Sequence, residues 1–273
     1  MSAFRAACVQ LRSSDDVAEN VRTASALIRE AKAIGADFVA TPENTTLMAP
    51  DGGAKLERSF SEDGDPALPA FRALAEELGI WLLLGSLAIK VSDSKTANRS
   101  FLIDPQGRIA ARYDKIHLFD VDLPSGEKYR ESNTVAGGGT AVLASVPWGK
   151  LGLTICYDLR FPQLYRALAK AGAFALTVPS AFTETTGKAH WHVLLQARAI
   201  ENGAFVIAPA QGGRHANGRR TYGHSLIVAP WGEILAEAGT DPCVIAADID
   251  PAATVDARVR IPNLQDDRVF SGP

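Results

Sequence analysis

Three polar residues with complementary chemistry each follow a predicted strand in this sequence. Glu43 lies just beyond the apolar run that ends at Thr41, Lys115 directly follows a predicted hairpin, and Cys156 ends a run that starts at Leu151. In open α/β sheets, reactive groups gather where the strands finish at their carboxyl edge. A carboxylate, an ammonium group and a thiol at three such positions indicate a base, a charge stabiliser and a nucleophile.

Each of these residues also has a structural interpretation. Cysteine is among the most buried residue types, so Cys8 and Cys243 are expected in strands or in the core. Glu43 could cap a turn, and Lys115 could be a solvated surface lysine. All three candidates nevertheless follow apolar strands rather than lying on exposed helical faces. That placement favours the functional interpretation.

A cysteine–histidine hydrolase is the competing mechanism. His117 lies two residues beyond Lys115 and would share its face in a continuing strand, so it remains the alternative base. His190 and His192 fall in a predicted helix, where a spacing of two residues separates their faces. The sequence has no His-x-x-x-His or Cys-x-x-Cys pair. We therefore expect neither a metal site nor a cofactor.

Strand and helix patterns alternate along the chain and must position these residues. Apolar runs predict strands, and apolar positions at helical spacing predict helices, with Ser14 as a cap for the first helix. The predicted strands are Phe4–Leu11, Asp37–Thr41, Ile80–Ile89, Leu151–Cys156, Phe174–Pro179 and Ala204–Ala210. The predicted helices are Asp15–Ile34, Pro69–Leu78, Pro162–Ala171 and Ala189–Asn202.

Two predicted hairpins end the two halves of the chain in similar ways. Ser100–Arg112 aligns without gaps on Ser225–Glu237, with five identities in 13 positions around a Pro-x-Gly turn. Because each hairpin closes a β-α-β-α-β series, we predict an internal pseudo-twofold repeat. Two such halves predict an α/β fold, a four-layer αββα sandwich in which two sheets pack face to face with helices outside. No linker divides the chain, so residues 1–273 are predicted to form one domain.

Composition excludes several classes of protein. A net charge of −3 and a pI of about 6.0 argue against a nucleic-acid partner, and no Lys/Arg cluster indicates a membrane surface. Three widely spaced cysteines fit a reducing cytoplasm better than a secreted disulfide framework. Residues 1–12 lack a long apolar core, and no run reaches the length of a membrane span, so we predict a cytoplasmic protein.

Three separated segments resemble those of one enzyme family. GLTICYDLRFP (Gly152–Pro162) resembles the nucleophile segment of the nitrilase superfamily of carbon–nitrogen hydrolases, ATPEN (Ala40–Asn44) its base segment, and RYDKIHLFD (Arg112–Asp120) its lysine segment. The resemblance runs from the first strand to about Gln265. It implies the αββα sandwich and a homodimer or higher homo-oligomer, with a C-terminal tail from about residue 262 in the dimer contacts.

The resemblance also implies roles for particular residues. It makes Cys156 the nucleophile, Glu43 the general base and Lys115 the third catalytic residue. Glu131 matches a second glutamate beside this triad, and a salt bridge that holds Lys115 is its alternative role. Tyr157 would offer its backbone N–H to the oxyanion of the tetrahedral intermediate, where one donor is commonly worth about 3–4 kcal/mol.

The implied reaction is a thiol-dependent amide hydrolysis. A free thiol has a pKa of about 8.5, so it needs a base or a nearby cation to become a nucleophile at neutral pH. Attack on a small-molecule amide would release ammonia and leave a thioester, which Glu43 and water would hydrolyse. The alternative that is not an enzyme is a catalytically silent binding subunit. The presence of Glu43, Lys115 and Cys156 together argues against it.

Substrate choice is predicted from the segment between Ala210 and Ser225. It is most similar to the branch of the family that acts on deaminated glutathione, with the ω-amidases acting on amides of the α-ketoglutaramate type as the alternative. Both substrates carry carboxylates, so Arg160 and Arg214 are candidate binding residues. An internal ion pair with Asp158 or another acidic residue is the alternative role of Arg160. The Gly- and Arg-rich stretch 212–220 is predicted to be a mobile loop that could bind an anionic substrate.

Overall fold

The computed structural model describes residues 2–124 and 126–272. Its first sheet contains β1 (Phe4–Gln10), β2 (Phe38–Ala40), β3 (Trp81–Lys90), β4 (Thr96–Ile103), β5 (Ile109–Asp114), β8 (Val135–Ala136) and β17 (Cys243–Ile249). Its second sheet contains β9 (Val142–Val146), β10 (Gly149–Leu153), β11 (Ala173–Thr177), β12 (Phe205–Ala208), β15 (Leu226–Val228) and β16 (Ile234–Glu237).

Helices and short hairpins complete the fold. The helices are α1 (Val17–Ala33), α2 (Gly52–Glu57), α3 (Ala67–Leu78), α4 (Pro162–Lys170), α5 (Glu184–Asn202) and α6 (Ala252–Arg260), with 3₁₀ turns at Glu62–Gly64, Glu131–Asn133 and Cys156–Arg160. The separate hairpins pair β6 (Asp120–Asp122) with β7 (Lys128–Arg130), and β13 (Gly212–Arg214) with β14 (Arg220–Tyr222). In the described ranges no helix has the length and apolarity to span a bilayer.

The two sheets have the same topology, which confirms the predicted pseudo-twofold repeat. The first runs in the order β17-β1-β2-β3-β4-β5 and the second in the order β9-β10-β11-β12-β15-β16. In each sheet, three neighbouring strands are parallel. One antiparallel strand flanks them on one side, and two antiparallel strands flank them on the other. The single flanking strand is β17, from the C-terminal end of the chain, in the first sheet and β9, from the middle of the chain, in the second sheet.

Alternation along the strands divides the core into layers. Ala6 and Cys8 of β1 belong to a cluster shared with the second sheet, whereas Ala7 and Val9 belong to a cluster with α1 and α3. Successive strand residues point to opposite faces, so one apolar strand serves both interfaces. Helices α4 and α5 cover the outer face of the second sheet. The order is therefore helix, sheet, sheet, helix, as predicted.

Three local predictions are wrong. The first helix is capped by Asp16 rather than Ser14, because the Asp16 carboxylate accepts the N–H of Glu19. Helix α5 begins at Glu184, five residues before the predicted start, because Thr183 supplies its cap. Stretch 212–220 is a β-hairpin (β13–β14) rather than a mobile loop, and it is fastened to the body of the protein by side-chain hydrogen bonds.

Candidate active site

Glu43 is held in place by the end of β2 and by β3. The chain leaves β2 at Ala40 and turns tightly over Gly85, where a Cβ atom would lie 2.0 Å from the carbonyl oxygen of Thr41. The Gly85 N–H also donates to Thr41 Oγ1 at 3.1 Å. Only a glycine permits this approach. The turn carries Glu43 into the interior, where its side chain is 4% exposed.

Cys156 lies in a sharp turn between β10 and a 3₁₀ turn. Its φ angle is +48°, in the left-handed region that non-glycine residues rarely occupy. Such a conformation costs roughly 1–3 kcal/mol and is retained only where the surroundings impose it. Here the Cys156 N–H donates to the carbonyl of Pro179 at 3.0 Å, and Ile155 N–H donates to the Asp158 carboxylate at 2.9 Å. The turn lifts the thiol out of the sheet.

Asp158 joins the cysteine segment to the lysine segment. Its fully buried carboxylate accepts hydrogen bonds from the Tyr113 hydroxyl at 2.6 Å and from the His117 N–H at 3.0 Å. His117 Nδ1 lies 2.7 Å from the same carboxylate, and its ring stacks on Phe161 with 3.5 Å between centroids. His117, the alternative base, is therefore engaged with Asp158.

A buried ion network surrounds Lys115. Its ammonium nitrogen lies 2.8 Å from Glu43 Oε1 and 2.9 Å from Glu131 Oε2. Asn98 Nδ2 donates to the carboxylates of both glutamates, at 2.9 and 3.2 Å. The Ala181 N–H donates to the second Glu43 oxygen at 3.0 Å. Each charged group in this network has a partner of opposite charge, so the lysine and the two glutamates can remain ionised in the interior, although the buried Oδ1 of Asn98 accepts no hydrogen bond.

The network sets the protonation of the site. Burial alone would raise the pKa of Glu43, but the charge and hydrogen bond of Lys115 outweigh it and lower the pKa to about 2. Burial would lower the pKa of Lys115, but Glu131 and Glu43 raise it above its ordinary value. Burial raises the pKa of the Cys156 thiol, and the negative charge of Glu43 raises it further. The positive charge of Lys115 only partly opposes this increase. The resting site therefore holds a neutral thiol, a carboxylate and an ammonium ion.

These residues share one cavity of about 540 Å³. Glu43, Lys115, Glu131, Cys156 and Tyr157 all line it, so the structure brings together five of the seven residues singled out in the sequence. A volume of this size suits a small-molecule ligand.

The two predicted binding arginines lie elsewhere. Arg160 is directed to His190, 3.3 Å away, and over the Phe182 ring; it does not line the cavity and forms no ion pair with Asp158. Arg214 is exposed at the end of β13, across from Arg220, and also does not line the cavity. The hairpin instead presents Arg219, which precedes β14, to the cavity.

Sequence reasoning missed three members of the site. Asn98 lies just before the predicted hairpin Ser100–Arg112 and was not singled out, because its neighbours Ala97 and Arg99 give no sign that its amide is buried. Lys55 lines the cavity from α2, a helix that was not predicted. The Ala181 N–H carries no side-chain signal at all. Within residues 2–124 and 126–272, no group of His, Cys, Asp or Glu is arranged to hold a metal ion.

Comparisons with known proteins agree on one family. A sequence profile described as carbon–nitrogen hydrolase matches residues 5–259. A deaminated glutathione amidase from Synechocystis sp. is 43% identical, over 99% of this chain and 100% of that protein.

Solved structures point the same way. The crystal structure of the C. elegans NitFhit protein superposes with a TM-score of 0.91 at 34% identity, over 98% of this chain and 66% of that chain. A mutant of the amidase from Nesterenkonia sp. AN1 superposes with a TM-score of 0.82 at 28% identity, over 97% of this chain and 94% of that chain. In that structure the acetamide moiety of fluoroacetamide is covalently added at the active-site cysteine.

Proposed function

Because this chain belongs to the carbon–nitrogen hydrolase family, we propose that Cys156 attacks an amide carbon, with Glu43 as general base and Lys115 as charge stabiliser. The family and the amidases among its relatives identify the chain as a hydrolase acting on amides. One observation carries the residue assignment: Cys156 lines the same cavity as Glu43 and Lys115, which form an ion pair at 2.8 Å.

Acylation begins from the neutral thiol. The pKa of the thiol is raised and that of Glu43 is lowered, so the proton does not move in the resting enzyme. Transfer therefore accompanies attack, when the sulfur–carbon bond forms and negative charge passes to the amide oxygen. The Tyr157 N–H donates to this oxyanion. Glu43 becomes neutral at the same moment, so the charge of Lys115 then stabilises the oxyanion instead.

Deacylation reuses the same groups. Glu43 gives its proton to the departing nitrogen, which breaks the carbon–nitrogen bond and leaves a thioester on Cys156. Ionised again, Glu43 removes a proton from water as that water attacks the thioester, and the acid departs as the thiol regains its proton. Glu131 holds Lys115 in place through two oxygens, at 3.1 and 2.9 Å, throughout the cycle.

We propose deaminated glutathione as the substrate. A relative that matches essentially the whole chain bears that name, and the cavity is large enough for a tripeptide-sized acid. Deaminated glutathione is a substituted amide, so its hydrolysis releases an amine, cysteinylglycine. Ammonia, which the sequence analysis expects, would be the product only from a primary amide such as α-ketoglutaramate.

The test is a comparison of kcat/KM for deaminated glutathione, α-ketoglutaramate and butyramide, with the released amine or ammonia measured directly. We expect the first substrate to be preferred, with an acyl-enzyme mass adduct on Cys156 in quenched reactions. A preference for α-ketoglutaramate would reassign the chain to the ω-amidases and keep the residue roles. No turnover of any amide, with the fold intact, would support the silent binding subunit.

We also propose that two copies pair through α5 and α6. Large apolar side chains on and beside these helices are solvent-exposed: Val193, Ile200, Val255, Val259 and Ile261, with Phe270 exposed in the tail. Exposed apolar groups on adjoining elements are typical of an interface between subunits. Light scattering after gel filtration should show a dimer, and Val259→Glu should shift it to monomer.

We also propose a cytoplasmic location, because the cysteine content is typical of proteins in a reducing compartment. Cys8, Cys156 and Cys243 are all free thiols, and a catalytic thiol needs a reducing environment to persist. Fractionation of the source cells, with the chain found outside the cytoplasmic fraction, would contradict this.

A further inference from the structure

Lys55 and Arg219 are two of the basic residues that line the cavity but have no part in the mechanism above. Lys55, on α2, donates from Nζ to Asn44 Oδ1 at 2.7 Å. Arg219, on the β13–β14 hairpin, donates from one terminal nitrogen to the Ala181 carbonyl at 2.7 Å and lies over the Tyr129 ring at 5.2 Å. Both are therefore held in place by neutral partners.

Neither cation is paired directly with a carboxylate of the protein. In the described part of the chain, neither Lys55 nor Arg219 forms a salt bridge, and the buried Nε of Arg219 has no hydrogen-bond acceptor. A buried donor without an acceptor is destabilising and rare in native structures. The guanidinium of Arg219 therefore carries a charge and donors that the protein does not fully use.

The glutamates that line the cavity already have other partners, and Glu127 among them accepts a hydrogen bond from the Tyr129 hydroxyl. Glu43 is engaged by Lys115, Asn98 and the Ala181 N–H, and Glu131 by Lys115 and the Phe119 N–H. Burial lowers the pKa of Lys55 despite the opposing charges of Glu131 and Glu43. An additional anion beside Lys55 would therefore stabilise its charged form.

The hairpin that carries Arg219 is built rigidly. His215 is buried, with one ring nitrogen 2.8 Å from the Ser13 carbonyl and the other 2.7 Å from Thr221 Oγ1. Asn217 donates to the carbonyl of Ala49 at 2.8 Å. Because both sides of the turn are fastened, the Arg219 side chain is positioned before any ligand binds, which lowers the entropic cost of binding.

We propose that Lys55 and Arg219 together form a subsite that binds a carboxylate of the amide substrate. This rests on the proposed function, because it assigns the substrate class of the same cavity: amides that carry a carboxylate. The planar guanidinium at the cavity wall suits a carboxylate, and the lysine adds a second positive charge.

Substrates of matched size test the proposal. Glutaramate carries a carboxylate on the acyl side, N-butanoylglycine carries one on the amine side, and hexanamide carries none. We expect Arg219→Met and Lys55→Met to raise KM by about 10- to 100-fold for at least one charged amide and to leave hexanamide within about threefold. Arg220→Met, a neighbouring exposed arginine paired with Glu184, is the matched control.

The pattern of effects distinguishes the sources of the carboxylate. An effect on glutaramate alone places the subsite at the acyl half, and an effect on N-butanoylglycine alone places it at the leaving half. Equal losses for charged and neutral amides would overturn the proposal, because they would show that Arg219 acts only by positioning Ala181 and Glu43.

A binding measurement separates this proposal from the proposed function. Glutaramate and N-butanoylglycine are titrated calorimetrically into Cys156→Ala and into Cys156→Ala with Arg219→Met. At least a tenfold rise in Kd for either ligand supports the subsite even if the wild type does not hydrolyse deaminated glutathione. Unchanged Kd values for both overturn it even if that hydrolysis is observed.

Discussion

Cys8 and Cys156 are both buried thiols, yet only one has the surroundings of a nucleophile. Cys8 lies within the regular strand β1 and packs between the sheets, with the Leu226 carbonyl 3.9 Å from its sulfur. Cys156 lies in a left-handed turn at the cavity wall, beside Glu43 and Lys115.

Burial raises the pKa of both thiols, so the pKa alone does not separate them. The difference lies in what can change the protonation state. Cys156 has a carboxylate that can take its proton and a lysine that compensates the new charge, whereas Cys8 lies among apolar groups and backbone, with the Cys243 thiol raising its pKa further. Reactivity therefore follows from an arranged acceptor and an open face, and burial by itself makes a thiol inert.

The largest expected effect separates the two cysteines by activity. Cys156→Ala should abolish amide turnover, because no other group can form the thioester, while Cys8→Ala should retain most of it. Steady-state assays on both purified variants, with circular dichroism to check the fold, are the measurement. Similar turnover in the two variants would remove Cys156 from the mechanism.

A second prediction separates the base from the thiol. Glu43→Gln should lower kcat by orders of magnitude, since the proton acceptor is lost. The same change removes the negative charge that raises the pKa of Cys156. The pKa of the thiol should fall, so alkylation of Cys156 by iodoacetamide should reach its midpoint at a lower pH than in the wild type.

Lys115→Met is the converse experiment, because it removes a positive charge near Cys156 where Glu43→Gln removes a negative one. Loss of the ammonium charge removes a group that lowers the pKa of Cys156, so the alkylation midpoint should move to higher pH while kcat also falls. The double variant should lose far less than the product of the two single effects, because the groups act as one unit. Midpoints that moved in the same direction would contradict the electrostatic account.

A third, smaller effect is expected at Asp158. Asp158→Asn removes an acceptor from the Tyr113 hydroxyl or the Ile155 N–H. It should loosen the link between the lysine and cysteine segments and lower kcat by about 10- to 100-fold with little change in KM. Tyr113→Phe, which removes one of these contacts, should have a smaller effect in the same direction. A loss of thermal stability with unchanged kcat would reduce Asp158 to a purely structural residue.

The smallest effect concerns the stability of the structural cysteine. Cys8→Ala removes one buried sulfur from the space between the sheets and should lower the free energy of unfolding by about 1 kcal/mol. Urea denaturation of the wild type and the variant measures it. No loss of stability would mean that the neighbouring side chains close the space.

Much of the fold was predictable because local pattern and burial agree. The strand β1 reads as an apolar run since both of its faces are covered, one by helices and one by the other sheet. The first helix was misassigned at its cap because Ser14 and Asp16 are both good capping residues, and only the chain direction at that point selects Asp16. Helix α5 begins early because Thr183 caps it by accepting the N–H of Thr186, and Thr183 also pairs with Thr221, which is distant in sequence.

Within the site, the sequence indicated the residues that follow predicted strands. It did not indicate the residues that only the tertiary structure brings to the cavity. Arg214 and Arg219 lie on one short hairpin, and both are candidates by type. Register decides between them: Arg214 pairs across the hairpin with Arg220 at an exposed position, whereas Arg219 precedes the strand and lines the cavity. Moving an arginine by a few positions along the hairpin would exchange an exposed location for one at the cavity wall. Amino-acid composition does not show which of the two locations an arginine takes.

The sequence by itself determined which chemical groups the protein carries and the strand ends at which they stand, because apolar periodicity places a strand before each of Glu43, Lys115 and Cys156. Only the tertiary structure decided how they act on one another. Lys115 meets Glu43 across 72 positions of chain, and the Ala181 N–H reaches the same carboxylate across 138. Contacts of that range arise from the packing of two sheets, and the protonation of the site follows from them because charge interactions depend on distance and burial rather than on order in the chain.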